Sequence, residues 1–172
     1  ISSAPQAPIP PSLSIAVANA GGMGACGALL MQPKAIAAWM AEFRAGSDGP
    51  CQLNLWIPDP PPARDPVQEA ALRRFLAEWG PEVPADAADA ALPDFARQCQ
   101  ALLDAAPRAI SSIMGLYPPE YVAALKRHGI TWFATVTTVA EACAAAAAGA
   151  DAIVAQGAEA GGHRGAFDAT AA

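Results

Sequence analysis

The sequence predicts an α/β fold built on a parallel sheet, and three features carry that expectation. Short apolar runs alternate with stretches whose apolar residues recur at helical spacing. The runs read as continuous hydrophobic strings, the pattern of parallel strands covered by helices. Toward the end of the chain the connections shorten, with Gly129 and Gly149 closing successive helical stretches.

Taken in order, residues 2–12 are proline-rich and leave room for at most a very short strand at 6–9. Residues 13–20 read as a helix stopped by Gly21 and Gly22, and 23–30 as a buried strand. Pro33 suits the first turn of the next helix, in which Ile36, Trp39, Met40 and Phe43 share one face and read as core. A turn at 46–50 leads to a strand at 51–57, and Pro58 ends it. From 59 to 107 the chain reads as an irregular and helical insertion between the third and fourth strands of one domain spanning 1–172. Within it, Leu72, Phe75, Leu76 and Trp79 form a helical face, 80–94 is an acidic connection long enough for a lid or binding loop, and 95–105 is helical. Strands follow at 109–114, 130–136 and 152–156, separated by helices at 120–128 and after the capping-box pattern Thr138-Val139-Ala140-Glu141. Two architectures accommodate these six strand candidates, a doubly wound open sheet and a (β/α)₈ barrel.

With 172 residues, 53% of them hydrophobic and 15% charged, the chain can bury a sizeable core. A formal net charge of −6 with no basic cluster argues against a nucleic-acid partner. Cys26, Cys51, Cys99 and Cys143 form no CxxC pair, fit no zinc or redox spacing, and read as small buried groups in a reducing compartment. The run Ala144 to Ala148 is too short to span a bilayer and no signal-peptide pattern is present, so a soluble cytoplasmic protein with no membrane association is expected.

Gly22-Met23-Gly24-Ala25-Cys26-Gly27 matches the dinucleotide motif GxGxxG by letter. That motif needs a strand before it, a helix after it and an acid ending a second strand. Here a helix precedes and a strand follows, so these glycines read as a helix stop and a close-packing site. The loop after the last strand candidate is richer. Gln156, Glu159, His163 and Arg164 stand among Gly157, Gly161, Gly162 and Gly165, at the carboxyl end of a buried strand where α/β proteins place their chemistry. A solvated turn with a surface histidine is the plainer reading of the same letters. His128, in Lys126-Arg127-His128-Gly129 at a helix C-terminus, reads as structural.

Five segments together carry a family resemblance: Gln6-Ala7-Pro8-Ile9, Ala16-Val17-Ala18-Asn19-Ala20-Gly21-Gly22-Met23-Gly24, Asn54 in its strand, Met114-Gly115-Leu116-Tyr117-Pro118-Pro119, and Gln156-Gly157-Ala158-Glu159-Ala160-Gly161-Gly162-His163. In order along nearly the whole chain, they resemble the nitronate monooxygenases, formerly 2-nitropropane dioxygenases, which are FMN-containing (β/α)₈ barrels. The histidine segment also occurs in the related flavin-dependent enoyl-ACP reductases. The resemblance implies that His163 is the catalytic base and that Ala7, Pro8 and Ile9 pass the flavin ring. It places Asn54 beside the flavin, and Gln156, Gly161 and Gly162 in the lining of the flavin and substrate pocket. Thr135 falls where some relatives carry a lysine near the flavin. It further implies oxidation of alkyl nitronates or nitroalkanes by O₂ to carbonyl compounds and nitrite. An imidazole, with a reference pKa of about 6.5, suits removal of the α-proton of a neutral nitroalkane. Glu159 either orients His163 or is a solvated acid; Arg164 faces substrate or, the favoured reading, solvent.

A full barrel takes about 250 residues, and six of eight strand-helix units are in view here. The expectation is an incomplete barrel whose remaining segment, including the cofactor phosphate site, comes from a second polypeptide or another part of the gene product, with a homodimer allowed. Two rival functions stand beside nitronate oxidation. One is a flavin-dependent NAD(P)H reductase of quinones or enoyl thioesters in the same barrel; the other is a non-catalytic half-barrel that binds a partner chain.

Overall fold

The structure, a computed structural model, describes residues 10–60, 63–89 and 92–168. Five strands, β1 (Gly24–Gly27), β2 (Cys51–Trp56), β3 (Ala109–Ile113), β4 (Thr131–Val136) and β5 (Ala152–Ala155), form one sheet in the order β1-β2-β3-β4-β5. Every pairing is parallel. These are five of the six expected strands; the candidate at 6–9 lies outside the described residues. Six helices accompany them: α1 (Pro11–Asn19), α2 (Pro33–Gly46), α3 (Pro66–Ala77), α4 (Phe95–Ala105), α5 (Pro119–Arg127) and α6 (Val139–Ala147).

Their boundaries follow from local chemistry. Proline occupies the first turn of α1, α2, α3 and α5, where its missing N–H costs nothing. Asp65 and Asp94 cap α3 and α4 through their carboxylates, and Thr138 with Glu141 makes the expected capping box on α6. Gly21, at φ +87°, turns the chain out of α1.

Strand order and burial decide between the two architectures. A doubly wound sheet reverses its order at a switch point and carries helices on both faces. Here spatial order follows chain order without reversal. The register places Cys26, Leu53, Leu55, Ile110, Trp132 and Ala134 on one face, packed in a single core with Ile36, Trp39, Met40, Phe43, Leu102 and Leu125 from the helices. Gln52, Asn54, Trp56, Ser111, Ile113, Phe133 and Thr135 share the other face, and none of its apolar members joins that core. One helix-covered face and one inner face, in sequential order, is the arrangement of a (β/α)₈-type barrel segment. The strands are therefore not the two-sided apolar runs expected: β2 and β4 alternate buried and half-buried positions.

The core is satisfied throughout. No buried side-chain nitrogen or oxygen among the described residues lacks a partner. Trp132 donates its indole N–H to Ser112 at 3.1 Å, and Gln98, on α4, donates to the carbonyls of Ala28, Leu29 and Met31, holding the turn after β1. Burial pushes the thiols of Cys26 and Cys99 up, to about 11 and about 12, with Cys51 adding to the effect at Cys26. Cys143 departs from the expectation of four buried thiols: it lies exposed on α6, whose only buried member is Ala145.

Contacts divide the chain into two compact units. One comprises Ala7–Pro58 with Pro93–Ala172 and holds the sheet; the other includes Asp59–Leu92. Helix α4 thus belongs with the sheet, where it packs on α2. Within the second unit the Arg64 guanidinium binds Glu69 and Asp89, tying the start of α3 to a 3₁₀ turn at Ala87–Asp89. The expected apolar stripe is not buried: Leu72, Phe75 and Leu76 on α3, and Trp79 just past its end, are all exposed.

Candidate functional site

In a parallel sheet all carboxyl ends lie along one edge, and the candidate residues gather there. β5 is not the buried strand expected, since all four of its residues are exposed; it ends at Ala155, Gln156 opens the histidine loop, and His163 is exposed too. The Gln156 amide bonds through both of its polar atoms: Nε2 donates to the His163 carbonyl at 2.9 Å and Oε1 accepts from the Gly165 N–H at 2.7 Å. One side chain at the loop's entry thereby holds its far side. Glycine at 165 leaves room for this closure, because a Cβ there would stand 2.8 Å from Ile113 Cγ1 and 3.1 Å from Gln156 Oε1 and those side chains would have to shift. Gly162 sits at φ +81°, a conformation costly for side-chain-bearing residues.

The His163 imidazole rests against the Trp56 indole in an edge contact, ring centroids 4.9 Å apart at 65°. Trp56 is the last residue of β2 on the inner face, two positions beyond Asn54. Asn54 donates to Ser111 Oγ at 2.9 Å, across to β3. Thr135 lies on the same inner face, on β4 opposite Val154. Beside the loop is a cavity of ≈ 360 Å³ lined by Thr137, Gln156, Gly157, Ala158, Ala160, Gly162 and Arg164.

The structure therefore brings Gln156, Gly162 and the His163 backbone together around one loop, with Asn54 and Thr135 on the adjoining inner face. His163, Gly161, Asn54 and Thr135 do not line that cavity. Ala7, Pro8 and Ile9 lie outside the described residues. Arg164 is exposed, as the favoured reading has it, and also borders the cavity. Glu159 turns back toward Gly157, where an added Cβ would overlap its carboxylate, and among the described residues it makes no bond to His163. His128 keeps a local role, its Nδ1 lying 2.9 Å from the Ala124 carbonyl at the end of α5.

Two residues of the site went unread in the sequence. Trp56 reads there only as the end of a strand, and its meeting with His163 joins positions that no local pattern connects. Glu141 reads as a helix cap. In the structure its Oε2 accepts from Thr137 N (2.6 Å), Thr137 Oγ1 (2.9 Å) and Thr138 N (3.2 Å), and its Oε1 from Phe167 N (2.8 Å). Partial burial pushes this carboxyl up, but the hydrogen bonds from Phe167, Thr137 and Thr138 outweigh it and hold it below the usual carboxylate range. Among the described residues no three His, Cys, Asp or Glu side chains cluster to hold a metal ion, and no helix is long and apolar enough to cross a membrane.

The family model for nitronate monooxygenase matches residues 5–172. The chain belongs to the nitronate monooxygenase family. Among its relatives, the nitronate monooxygenase of Pseudomonas aeruginosa is 38% identical over 164 residues, covering 92% of this chain and 46% of that protein. The enzyme of the same name from Paraburkholderia phytofirmans is 36% identical over 163 residues, covering 92% and 44%. Of solved structures, nitroalkane oxidase from Streptomyces ansochromogenes superposes with a TM-score of 0.75 at 31% identity, covering 94% of this chain and 46% of that one. FabK from Thermotoga maritima, at 22% identity and a TM-score of 0.58, shares the fold. The chain thus spans a little under half the length of the curated relatives it matches best among these.

Proposed function

We propose that this chain supplies the catalytic half of a flavin-dependent oxidoreductase that oxidises alkyl nitronates, and nitroalkanes after removal of their α-proton. The observation that carries the reading is the loop of β5. It sets one histidine at the carboxyl edge of a barrel-type sheet, with its ring against Trp56 and its backbone fixed by Gln156. The family membership and the nitroalkane oxidase likeness support the substrate class.

The residues present fit FMN. The inner face offers the Asn54 amide and the Thr135 hydroxyl, and the adjoining loop exposes Gly161 and Gly162, at which a backbone can approach a ligand closely. The guanidinium of Arg164 at the cavity suits an anionic group. Ala7, Pro8 and Ile9 would complete the ring site from the first strand. Bound there, FMN would supply the electron acceptor for nitronate oxidation, for which O₂ would be the final oxidant and a carbonyl compound and nitrite the products.

The chain's own contribution is proton transfer and placement. His163, as a neutral imidazole, takes the α-proton of a nitroalkane; once protonated it is a cation beside the nitronate anion it has made, which favours that anion's retention. Trp56 limits where the ring can stand. The missing barrel units come from outside this chain, as a second polypeptide or as further chain of the same protein.

Anaerobic mixing of the flavin-loaded protein separates this reading from its nearest rival. Bleaching of the flavin band by an alkyl nitronate, with no fast bleaching by NADH or NADPH, is the expected result. Fast bleaching by a nicotinamide and none by nitronate would assign a reductase. A purified protein carrying no flavin at all would favour a non-catalytic half-barrel.

A further inference from the structure

The histidine loop leaves β5 under the hold of Gln156, but its descending limb, Gly165 to Asp168, belongs to no strand or helix. Beyond the Gly165 N–H bond to Gln156, contacts at Phe167 help keep that limb down. The Phe167 ring packs half-buried against the core, and the Phe167 N–H donates to Glu141 Oε1 at 2.8 Å.

A capping box alone does not account for Glu141. It requires one reciprocal bond from the residue at the third helical position to the capping N–H, which glutamine makes as well as glutamate. Here Oε2 takes that bond from Thr138 and two more from Thr137, whose residue lines the cavity. Oε1 is left for Phe167. Donors converge on both oxygens, so the site needs two acceptors, and only a carboxylate provides them; a glutamine amide presents one acceptor and one N–H₂ donor.

We propose that Glu141 is a positioning residue for His163. Its carboxylate joins the end of β4, the start of α6 and the descending limb of the histidine loop, so that the loop is clamped at both ends, by Gln156 and by Glu141. The role rests on the reading of His163 as the proton-abstracting base.

The test compares two variants in the full-length, flavin-loaded protein. Thr138→Ala removes the hydroxyl that caps the Glu141 N–H, so it weakens the helix start while leaving every bond to the Glu141 carboxylate in place. Glu141→Gln keeps a residue accepted in a capping box but spoils the bond to Phe167 or those to Thr137. Amide exchange over 157–168 is the first readout, and kcat/KM on a neutral nitroalkane the second. Glu141→Gln should speed exchange across the loop by about tenfold or more, the order of one charge-assisted hydrogen bond. It should lower kcat/KM with it, while Thr138→Ala speeds exchange only in the first turn of α6. Unchanged loop exchange in Glu141→Gln, or equal loop exchange in both variants, overturns the clamp. A loosened loop with unchanged kcat/KM, in a protein whose His163→Asn variant is impaired, overturns the positioning role. If His163→Asn is itself unimpaired, it is the proposed function that fails, and loop exchange alone decides the clamp.

Discussion

At Gln156 one neutral amide performs two opposite tasks, donating to the His163 carbonyl and accepting from the Gly165 N–H. Glutamate at this position would keep the acceptor and lose the donor, setting a carboxylate oxygen against a carbonyl oxygen. Gln156→Glu is therefore expected to cost the loop about 1–3 kcal/mol, visible as faster proteolysis between 157 and 164; an unchanged cleavage rate would contradict it. Glu141 yields a pH expectation. Its carboxyl is held below its ordinary value, so the stability from its four bonds is fully present above the unfolded carboxylate pKa of about 4.3. That stability is lost only as pH falls through the lower folded value. Protection of the Phe167 amide should accordingly persist down to about pH 4.3; its loss by pH 5 would show that the carboxylate is not what holds it. The histidine loop was legible in the sequence because glycine spacing and strand position are local signals. Trp56 and the Phe167 bond were not, since both join the loop to residues far away in the chain.

Among the elements, Pro33 and the Thr138 box announced their helices in the sequence, whereas Pro11, Asp94 and Pro119 also stand where helices begin but were not read as starts. The burial of helix faces was read less evenly. The stripe of α2 is core, whereas the same spacing on α3 leaves Leu72 and Phe75 exposed, because periodicity records which side is apolar and not what lies against it. Gly24, in the GxGxxG lookalike, is a packing glycine. A Cβ there would stand 2.8 Å from both Phe43 Cε2 and the Ser14 carbonyl oxygen, and backbone cannot yield as a side-chain tip can. Gly24→Ala should cost about 1–3 kcal/mol, whereas at Gly27 an added Cβ meets nothing within 4 Å and Gly27→Ala should stay within about 0.5 kcal/mol. Denaturant midpoints of the two variants check the contrast. Equal shifts would mean that close approach of α1 and α2 to β1 is not what the glycine serves.

For the whole molecule, alternating strands and helices could not choose between a barrel and a doubly wound sheet, because both produce the same pattern along the chain. Register and strand order chose, through an inner face carrying Asn54, Ser111 and Thr135 that no run of letters reveals. β5 pairs with β4, and Ile153 and Val154 remain 39% and 45% exposed, which suits a strand whose next neighbour belongs to the rest of the barrel. The role of His163 is central to the proposed chemistry. Steady-state kinetics of His163→Asn, on a neutral nitroalkane and on its pre-ionised nitronate, test it directly. The neutral substrate should lose about 10²–10⁴-fold in kcat/KM, and the nitronate, which has no proton to give up, should lose far less with flavin retained. Equal losses on both substrates with flavin retained would assign His163 to anion binding instead, and no loss on either would remove it from the chemistry.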